Sequence, residues 1–369
     1  MKSYIVSKKK SVEEFLQKNR KFMLPAILLV GFVVDTLTLR QIDRLFDNVV
    51  LLTHLLIVAT TIFLLFARNT RIGQKLRISE RKSTISALML FSFGGLFSGF
   101  VVFYSRSGSL ISSWPFIFGM LLLMLGTEVQ KKYYEKAVLQ ISIFYVALFS
   151  YLIFSVPVVL KKMGPGMYLL SGLISLVLIG LYVRLLFKLD PEKTLINKKK
   201  IATRIFAIFA IFNILYFTNI IPPIPLSMKF SAVYHDFSKI QAVEYRGSYE
   251  VPPAWQFWKK RSRVFHRRIG EPVYVYSQIF APVKLNIDIY HKWEYFDTEK
   301  TRWVPSTEVK IPITGGRADG FRGYSFKNNI EPGSWRVKVT TDRNQTIGQI
   351  TFKVVNAEEP LELRQEVFR

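Results

Sequence analysis

The stretch "NIIPPIPLSMKF", Asn219–Phe230, separates two parts of the sequence that have different hydropathy patterns. Before it the chain consists of long apolar runs, and after it apolar and polar residues alternate. Proline has no backbone N–H and cannot continue a helix, so the prolines of this stretch predict the end of the last long helix. We therefore expect a helical part before the stretch and a β-sheet part after it.

The apolar runs have the length of membrane-spanning helices. A helix rises about 1.5 Å per residue and the hydrocarbon core is about 30 Å thick, so a span needs roughly 17 to 25 apolar residues. The runs that qualify are Phe22–Leu39, Val49–Ala67, Ile85–Tyr104, Leu110–Gly126, Val138–Leu160, Met167–Phe187 and Ile205–Ile221. We predict a seven-span bundle over residues 22–221 after a cytoplasmic segment 1–21 that has no cleavable signal peptide.

The chain is apolar on average, with a mean hydropathy of +0.23, yet its formal charge is +25. One set of alternate segments holds 22 Lys and Arg residues: 1–21, 68–84, 127–137 and 188–204. The other set holds 5: 40–48, 105–109 and 161–166. Because cytoplasmic loops retain positive charge, the N-terminus is predicted to be cytoplasmic and the part after the last span extracytoplasmic.

The part after the bundle reads as short strands. In "KLNIDIYHKWEY", Lys284–Tyr295, alternation places His291 and Trp293 on one apolar face. "SWRVKVTT" and "TIGQITFKVV" flank the turn "DRNQ" and predict a hairpin. With "EPVYVYSQIF", "STEVKIPI" and "GFRGYSFK" they predict an all-β, immunoglobulin-like sandwich at 271–357, preceded by a connector at 222–270 and followed by a tail at 358–369.

Several motifs resemble those of a family of bacterial multi-span membrane proteins that end in a domain of unknown function (DUF). They are "YSQIFAPVKL", "HKWEYFD", "ITGGRADGFRGYSFK" and "PGSWRVKVTTDRNQTIGQITFKV", within Asn219–Val355. The shared pattern is H-x-W, then G-G-R, then G-x-W-R-V-x-V and F-x-V. The resemblance implies a bacterial inner membrane and this architecture, and it implies no activity.

The connector contains "AWQFWKKRSRVFHRR", Ala254–Arg268, which combines cations with aromatic rings. Outside the cytoplasm no nucleic acid is expected, so anionic lipids or acidic envelope polymers are the predicted partners. The candidates for membrane-surface contact are Trp255, Trp258, Lys259, Lys260, Arg261 and Arg263. A solvated loop or a strand edge is the alternative interpretation.

Two further candidates for ligand binding lie in the predicted sandwich. "GGRADGFRGY" is interpreted as a loop in which Gly315 and Gly316 shape a backbone nest and Arg317 and Arg322 bind phosphate or carboxylate. The alternative is an ordinary turn in which a carboxylate neutralises an arginine. His291 is interpreted first as a core histidine bonded to the backbone, with a ligand-binding or general-base role as the alternative.

Polar residues also cluster near the predicted outer ends of the first two spans: Asp35, Asp43, Asp47 and His54. They suggest a site for a cation or for lipid-phosphate chemistry, unless Asp35 simply pairs with Arg40 or Arg44 at the interface. Gly95 and Gly99 have GxxxG spacing, which favours helix packing inside the bundle over a homo-oligomer contact.

No nucleotide-binding loop, nucleophile elbow or metal-ligand spacing occurs, so we expect no cofactor and no metal, and binding without catalysis. The absence of charge in mid-span argues against a proton pump or an ion-coupled transporter. We expect the protein to bind or organise envelope components such as membrane lipid, glycan or an envelope protein. The alternatives are an outer-leaflet enzyme or flippase-like factor for lipid-linked glycans, or a membrane sensor with a cytoplasmic partner.

Overall fold

The computed structural model of the chain describes residues 31–39, 45–106, 110–129, 136–222, 226–240, 244–252, 261–268, 270–281, 288–312, 314–316, 320–357 and 362–368. The first part of the described chain is helical and the second is rich in β-strands. Residues 31–38 form α1. The other described helices are α2 Leu45–Ala67, α3 Arg71–Lys75, α4 Lys82–Arg106, α5 Leu110–Val129, α6 Ala137–Leu160, α7 Pro165–Leu189 and α8 Pro191–Phe217.

Five described helices are long and apolar enough to cross a membrane: Leu45–Ala67, Lys82–Arg106, Ala137–Leu160, Pro165–Leu189 and Asn197–Phe217. A shorter apolar segment, Ser113–Gly126, lies within α5. Each overlaps a run predicted from hydropathy, but the helices continue past the apolar runs. α8 begins at Pro191, well before the apolar run at Ile205, because proline is well suited to the first turn of a helix.

Helix α4 packs closely on its neighbours through its glycines. A Cβ atom at Gly95 would lie 3.0 Å from His54 Nε2, and one at Gly99 would lie 2.7 Å from Leu51 Cδ2. Both partners belong to α2 of the same chain, so the GxxxG spacing serves packing within the helical part, as the sequence favours.

The described strands are β1 Ser227–Tyr234, β2 Asp236–Lys239, β3 Tyr245–Glu250, β4 Val264–Arg267, β5 Val273–Phe280, β6 Ile289–Asp297, β7 Arg302–Lys310, β8 Thr314–Gly316, β9 Gly320–Lys327, β10 Gly333–Thr341, β11 Thr346–Asn356 and β12 Leu363–Phe368. They form a four-stranded sheet in the order β1-β5-β9-β8, a five-stranded sheet β4-β11-β10-β6-β7 and a three-stranded sheet β12-β3-β2. β10 and β11 form the hairpin predicted around "DRNQ".

The two larger sheets share apolar cores. Val273 and Val275 of β5 pack in one cluster with Trp293, Trp335 and Phe352 of the five-stranded sheet. Tyr276, on the opposite face of β5, belongs to an aromatic cluster under the three-stranded sheet. β5 is therefore covered on both faces, which explains why its sequence lacks a clean alternation of apolar and polar residues.

Strands also form in regions expected to be connector and tail. β1 to β4 lie within 222–270, and β12 lies within 358–369. β1 carries a strand signal, because Met228, Phe230 and Ala232 alternate with the polar residues Ser227, Lys229 and Ser231. β12 is polar and mostly exposed, and it forms by pairing with β3 rather than by a pattern of its own.

The chain divides into two compact units. One contains Met1–Phe103, Pro115–Val156 and Gly166–Leu215, and the other contains Tyr104–Trp114, Pro157–Pro165 and Tyr216–Arg369. Within the second unit, Met163 packs against an apolar cluster formed by the strands. The Arg343 guanidinium, in the β10–β11 turn, lies over the Tyr216 ring at 4.8 Å. The strands of this unit therefore pack with helix ends and a helix connection that belong to the same unit.

Candidate functional site

A cleft of about 470 Å³ opens in the β part of the chain. It is formed by β1, the edge strand of its sheet, by the segment that leads into β4, and by β11. β11 pairs with β4 only from Lys353 onward, so the preceding residues of β11 are left beside β1. At one end of the cleft Met228 packs on Gly348, where a Cβ atom would lie 2.6 Å from Met228 Cε.

The lining is basic and mixed in polarity. The apolar members are Met228, Phe230, Ala232, Val233 and Ile350, and the polar members are Ser231, Arg261, Ser262, Arg263, Gln349 and Thr351. None of these described lining residues is acidic. The cleft therefore offers positive charge and hydrogen-bonding groups together, which suits a hydrated anion.

Arg261 is held rigidly at the cleft. Its Nε donates to Glu366 Oε1 at 3.1 Å and its Nη2 donates to Glu366 Oε2. Its guanidinium also lies over the Phe230 ring at 4.4 Å and the Tyr249 ring at 5.1 Å. Burial alone would lower the pKa of Arg261, but the bonds to Glu366 have the larger effect. The pKa is therefore raised, and the side chain stays charged.

Arg263 differs from Arg261 because it is exposed. Among the residues that the structure describes, no carboxylate forms an ion pair with it. Trp255, Trp258, Lys259 and Lys260, the other predicted membrane-surface residues, lie outside the described residues. Of the basic-aromatic segment, the structure thus places one fixed and one exposed arginine at the cleft.

A histidine–carboxylate cluster lies beside the cleft, and sequence analysis does not identify it. His235 Nε2 is 2.8 Å from Glu250 Oε1, and His235 Nδ1 is 2.8 Å from Glu271 Oε1. Glu250 also accepts from the backbone N–H of His266 at 2.6 Å, and its other oxygen lies 2.7 Å from His266 Nδ1. Glu250 lines a small cavity together with Arg261 and Arg263, so the cluster adjoins the cleft residues.

The pKa shifts in this cluster follow from burial and hydrogen bonding. Burial alone would lower the pKa of the His235 ring, but its bonds to Glu250 and Glu271 outweigh burial and raise it. Burial would raise the pKa of Glu250, but hydrogen bonds from His235 and His266 outweigh burial and lower it. Both shifts favour a charged pair at neutral pH.

His291 is fully buried and belongs to a core network. Its Nδ1 lies 2.7 Å from Ser325 Oγ and its Nε2 lies 3.0 Å from Ser277 Oγ. Trp293 Nε1 donates to the same Ser325 oxygen at 3.0 Å. Burial lowers the pKa of His291 to about 3, so the ring is neutral. The core interpretation fits this position, although the partners are serine hydroxyls rather than backbone groups.

The segment that we predicted to be one loop with two arginines has a different structure. Gly315 and Gly316 lie in β8 and Arg322 lies in β9, where its residue is 3% exposed. Arg317 lies outside the described residues. The interpretation as one loop presenting two arginines is therefore corrected for Arg322, because pairing with β5 and β8 buries this position inside a sheet.

In the helical part, Asp35 Oδ2 accepts a hydrogen bond of 2.5 Å from Ser98 Oγ of α4. His54 lies near Asp35. Asp47 is buried in α2, and Asp43 lies outside the described residues, as do Arg40 and Arg44. The structure thus brings Asp35, Ser98 and His54 together, and Ser98 is a partner that the sequence does not single out.

No group of three or more metal-ligating side chains with metal-site geometry occurs among the described residues.

The residues that contact each other at the cleft are far apart in sequence, since Arg261 and Glu366 are 105 positions apart. His235 and Glu271 are 36 positions apart. Local motifs do not reveal such contacts, and only the pairing of β12 with β3 brings Glu366 to the cleft.

Comparison with curated proteins found no match. Among solved structures, the chain is similar to the Pseudomonas fluorescens alkylpurine DNA glycosylase AlkC bound to DNA containing an abasic site analog, with 10% identity, coverage of 86% of this chain and 100% of that chain, and a TM-score of 0.23. A similarity this weak carries no argument about fold or function. The family described as "Protein of unknown function (DUF2914)" matches residues 286–354, a range that contains β6 to β10 and most of β11. The C-terminal part of the chain thus contains a DUF2914 domain, in agreement with the motifs that resemble a family ending in a domain of unknown function.

Proposed function

We propose that this is a multi-pass protein of the bacterial inner membrane whose β part lies outside the cytoplasm and binds anionic envelope components, either lipid or glycan, without catalysis. In this proposal the chain spans the membrane seven times, and its two larger sheets form an immunoglobulin-like sandwich. The shared core of those sheets supports the sandwich. The cleft lined by Arg261 and Arg263 is the observation that carries the binding role.

Electrostatics supports this role. The cleft has no acidic residue in its described lining, and Arg263 is exposed. Each cation near an anionic surface contributes about 1 kcal/mol, and exposed charges are screened within roughly 10 Å at 0.1 M salt. Binding that depends on this surface therefore weakens as the salt concentration rises.

The test uses the full chain in phosphatidylcholine nanodiscs, with phosphatidylglycerol vesicles and an acidic envelope polysaccharide as probes. We expect binding to at least one probe, with a steep loss between low and high salt. A variant with four glutamines should lose most of it; the changes are Lys259→Gln, Lys260→Gln, Arg261→Gln and Arg263→Gln. A matched control removes four exposed cations from the segment predicted to be cytoplasmic: Arg71→Gln, Lys75→Gln, Arg77→Gln and Arg81→Gln. No binding to either probe at low salt, or equal loss in the control, would contradict the proposal.

The contact of Asp35 with Ser98, close to His54, favours a second candidate, an outer-leaflet enzyme or flippase-like factor for lipid-linked glycans. Under this alternative, Asp35→Asn and His54→Ala reproduce the phenotype of a deletion strain at normal protein levels, and the cleft variant complements. Under the binding role, the cleft variant fails to complement and the two helix variants succeed.

A further inference from the structure

The two cleft arginines leave donors for a ligand. The bonds from Arg261 to Glu366 use Nε and Nη2, so Nη1 has no partner among the described residues. Because Glu366 and two aromatic rings already fix this guanidinium, binding through Nη1 costs little side-chain entropy. Arg263, exposed on the same segment, supplies a second cation.

β11 contributes uncharged polar groups to the cleft. Gln349 and Thr351 of β11 line the cleft, and in the described chain their side chains form no hydrogen bond. An amide and a hydroxyl each supply both a donor and an acceptor. Ser231 and Ser262 differ, because their hydroxyls already donate to Tyr276 and Val264 carbonyl oxygens. The cleft lining therefore contains an amide and a hydroxyl without hydrogen bonds in addition to the two arginines.

The volume of the cleft indicates the size of its ligand. A volume of about 470 Å³ lies within the range of roughly 300 to 1,000 Å³ that is usual for small-ligand pockets. A bare phosphate is too small to fill a cleft of this volume. A ligand with one acidic group and several hydroxyls offers partners to the arginines and also to Gln349 and Thr351.

We propose that this cleft binds an acidic saccharide, whose carboxylate pairs with Arg261 and Arg263 and whose hydroxyls bond to Gln349 and Thr351. This inference rests on the proposed function and selects glycan over lipid as the ligand of the cleft.

The experiment measures calorimetric binding of a galacturonic acid tetramer to the full chain in phosphatidylcholine nanodiscs. A neutral maltotetraose and glycerol phosphate are the comparison probes. Because a hydrogen bond to a charged group contributes more than a neutral one, we expect Arg263→Gln to weaken binding about tenfold. Thr351→Val, which removes only a hydroxyl, should weaken it about threefold. Arg302→Gln removes an exposed arginine outside the cleft lining and should leave affinity within about twofold, as expected for a distant surface charge.

Equal binding of maltotetraose, tighter binding of glycerol phosphate than of the tetramer, or unchanged affinity in Arg263→Gln would each overturn the inference. This test does not use Arg261→Gln, because that variant would also lose the bonds between Arg261 and Glu366. If vesicles or the envelope polysaccharide still bind in a salt-dependent way while the tetramer does not, only this inference fails. If no anionic probe binds, the proposed function fails with it.

Discussion

His235 is held between two carboxylates that can only accept hydrogen bonds. Its ring nitrogens face Glu250 and Glu271, so both must carry a proton and the ring must be charged to make both bonds. The ring is also stacked on Phe265 at 4.1 Å between centroids. The residue thus ties the end of β1 to β3 and to the segment before β5, next to the cleft.

Its raised pKa gives the stability a definite pH dependence. A group whose pKa is higher in the folded state stabilises fully below its unfolded pKa, about 6.5 for histidine, and loses that effect as pH rises through the folded pKa. Removing one partner of a buried pair costs about 3 to 5 kcal/mol, so we expect His235→Gln to lower the free energy of unfolding by about that amount at pH 6. The difference from the wild type should shrink as pH rises from about 6.5 through the raised pKa of the folded state.

The measurement is urea unfolding of the full chain in detergent micelles between pH 5.5 and 9, monitored by tryptophan fluorescence. His266→Gln is the matched control, because His266 bonds the same Glu250 but its side chain is 41% exposed. It should cost much less at every pH. A destabilisation by His235→Gln that is independent of pH would show that the ring packs as a neutral group.

At the next level, elements differ in how far the sequence predicts them. The apolar helices are predictable because hydropathy is a property of one continuous window. β6 and β10 are predictable because one face of each is buried, as Trp293 and Trp335 show. β5 is less clear because both its faces are covered, and β12 has no signal because it depends on pairing with β3, more than a hundred positions earlier.

The cleft shows why the candidate site was only partly predictable. Its basic side comes from a segment that composition identifies, since Arg261 and Arg263 lie in a cluster of cations. Its other side comes from β11, and Arg261 is fixed by Glu366 of β12. Strand pairing between distant segments creates these neighbours, and local patterns contain no information about it.

A substitution of Trp335 in β10 tests the core that the two larger sheets share. It is 5% exposed, lies opposite Phe352 of β11 and donates from Nε1 to the Glu331 carbonyl at 2.8 Å. Removing a buried indole costs about 3 to 5 kcal/mol, so Trp335→Ala should destabilise the β part by that amount. Urea unfolding of the full chain measures it by circular dichroism in the β-sheet region. Trp303→Ala, on the partly exposed edge strand β7, should cost less than half as much; equal effects would count against a core centred on Trp335.

In the molecule as a whole, apolarity and charge are separated along the chain. The five long apolar helices precede the strands, and the predicted cytoplasmic segments hold most of the loop cations. Two contacts within the second compact unit connect helix ends with strands: Met163 follows α6 and packs on the strand cluster, and Arg343 lies over Tyr216 near the end of α8. In the predicted seven-span topology, the ends of the fifth and seventh spans are both extracytoplasmic.

The membrane topology of the whole chain can be tested with reporters at two positions. A reporter that is active only outside the cytoplasm, fused after Arg369, should be active, and the same reporter inserted near Gln74 should be inactive. A fluorescent protein that matures in the cytoplasm should give the opposite result at the two positions. The reason is the ratio of 22 to 5 cations between alternate segments, which places Gln74 inside. Activity near Gln74 alone would invert the orientation, place the cleft on the cytoplasmic side and remove the choice of envelope ligands. Activity at both positions would keep the C-terminus outside but contradict the seven-span arrangement, because it would require an even number of spans between Gln74 and Arg369.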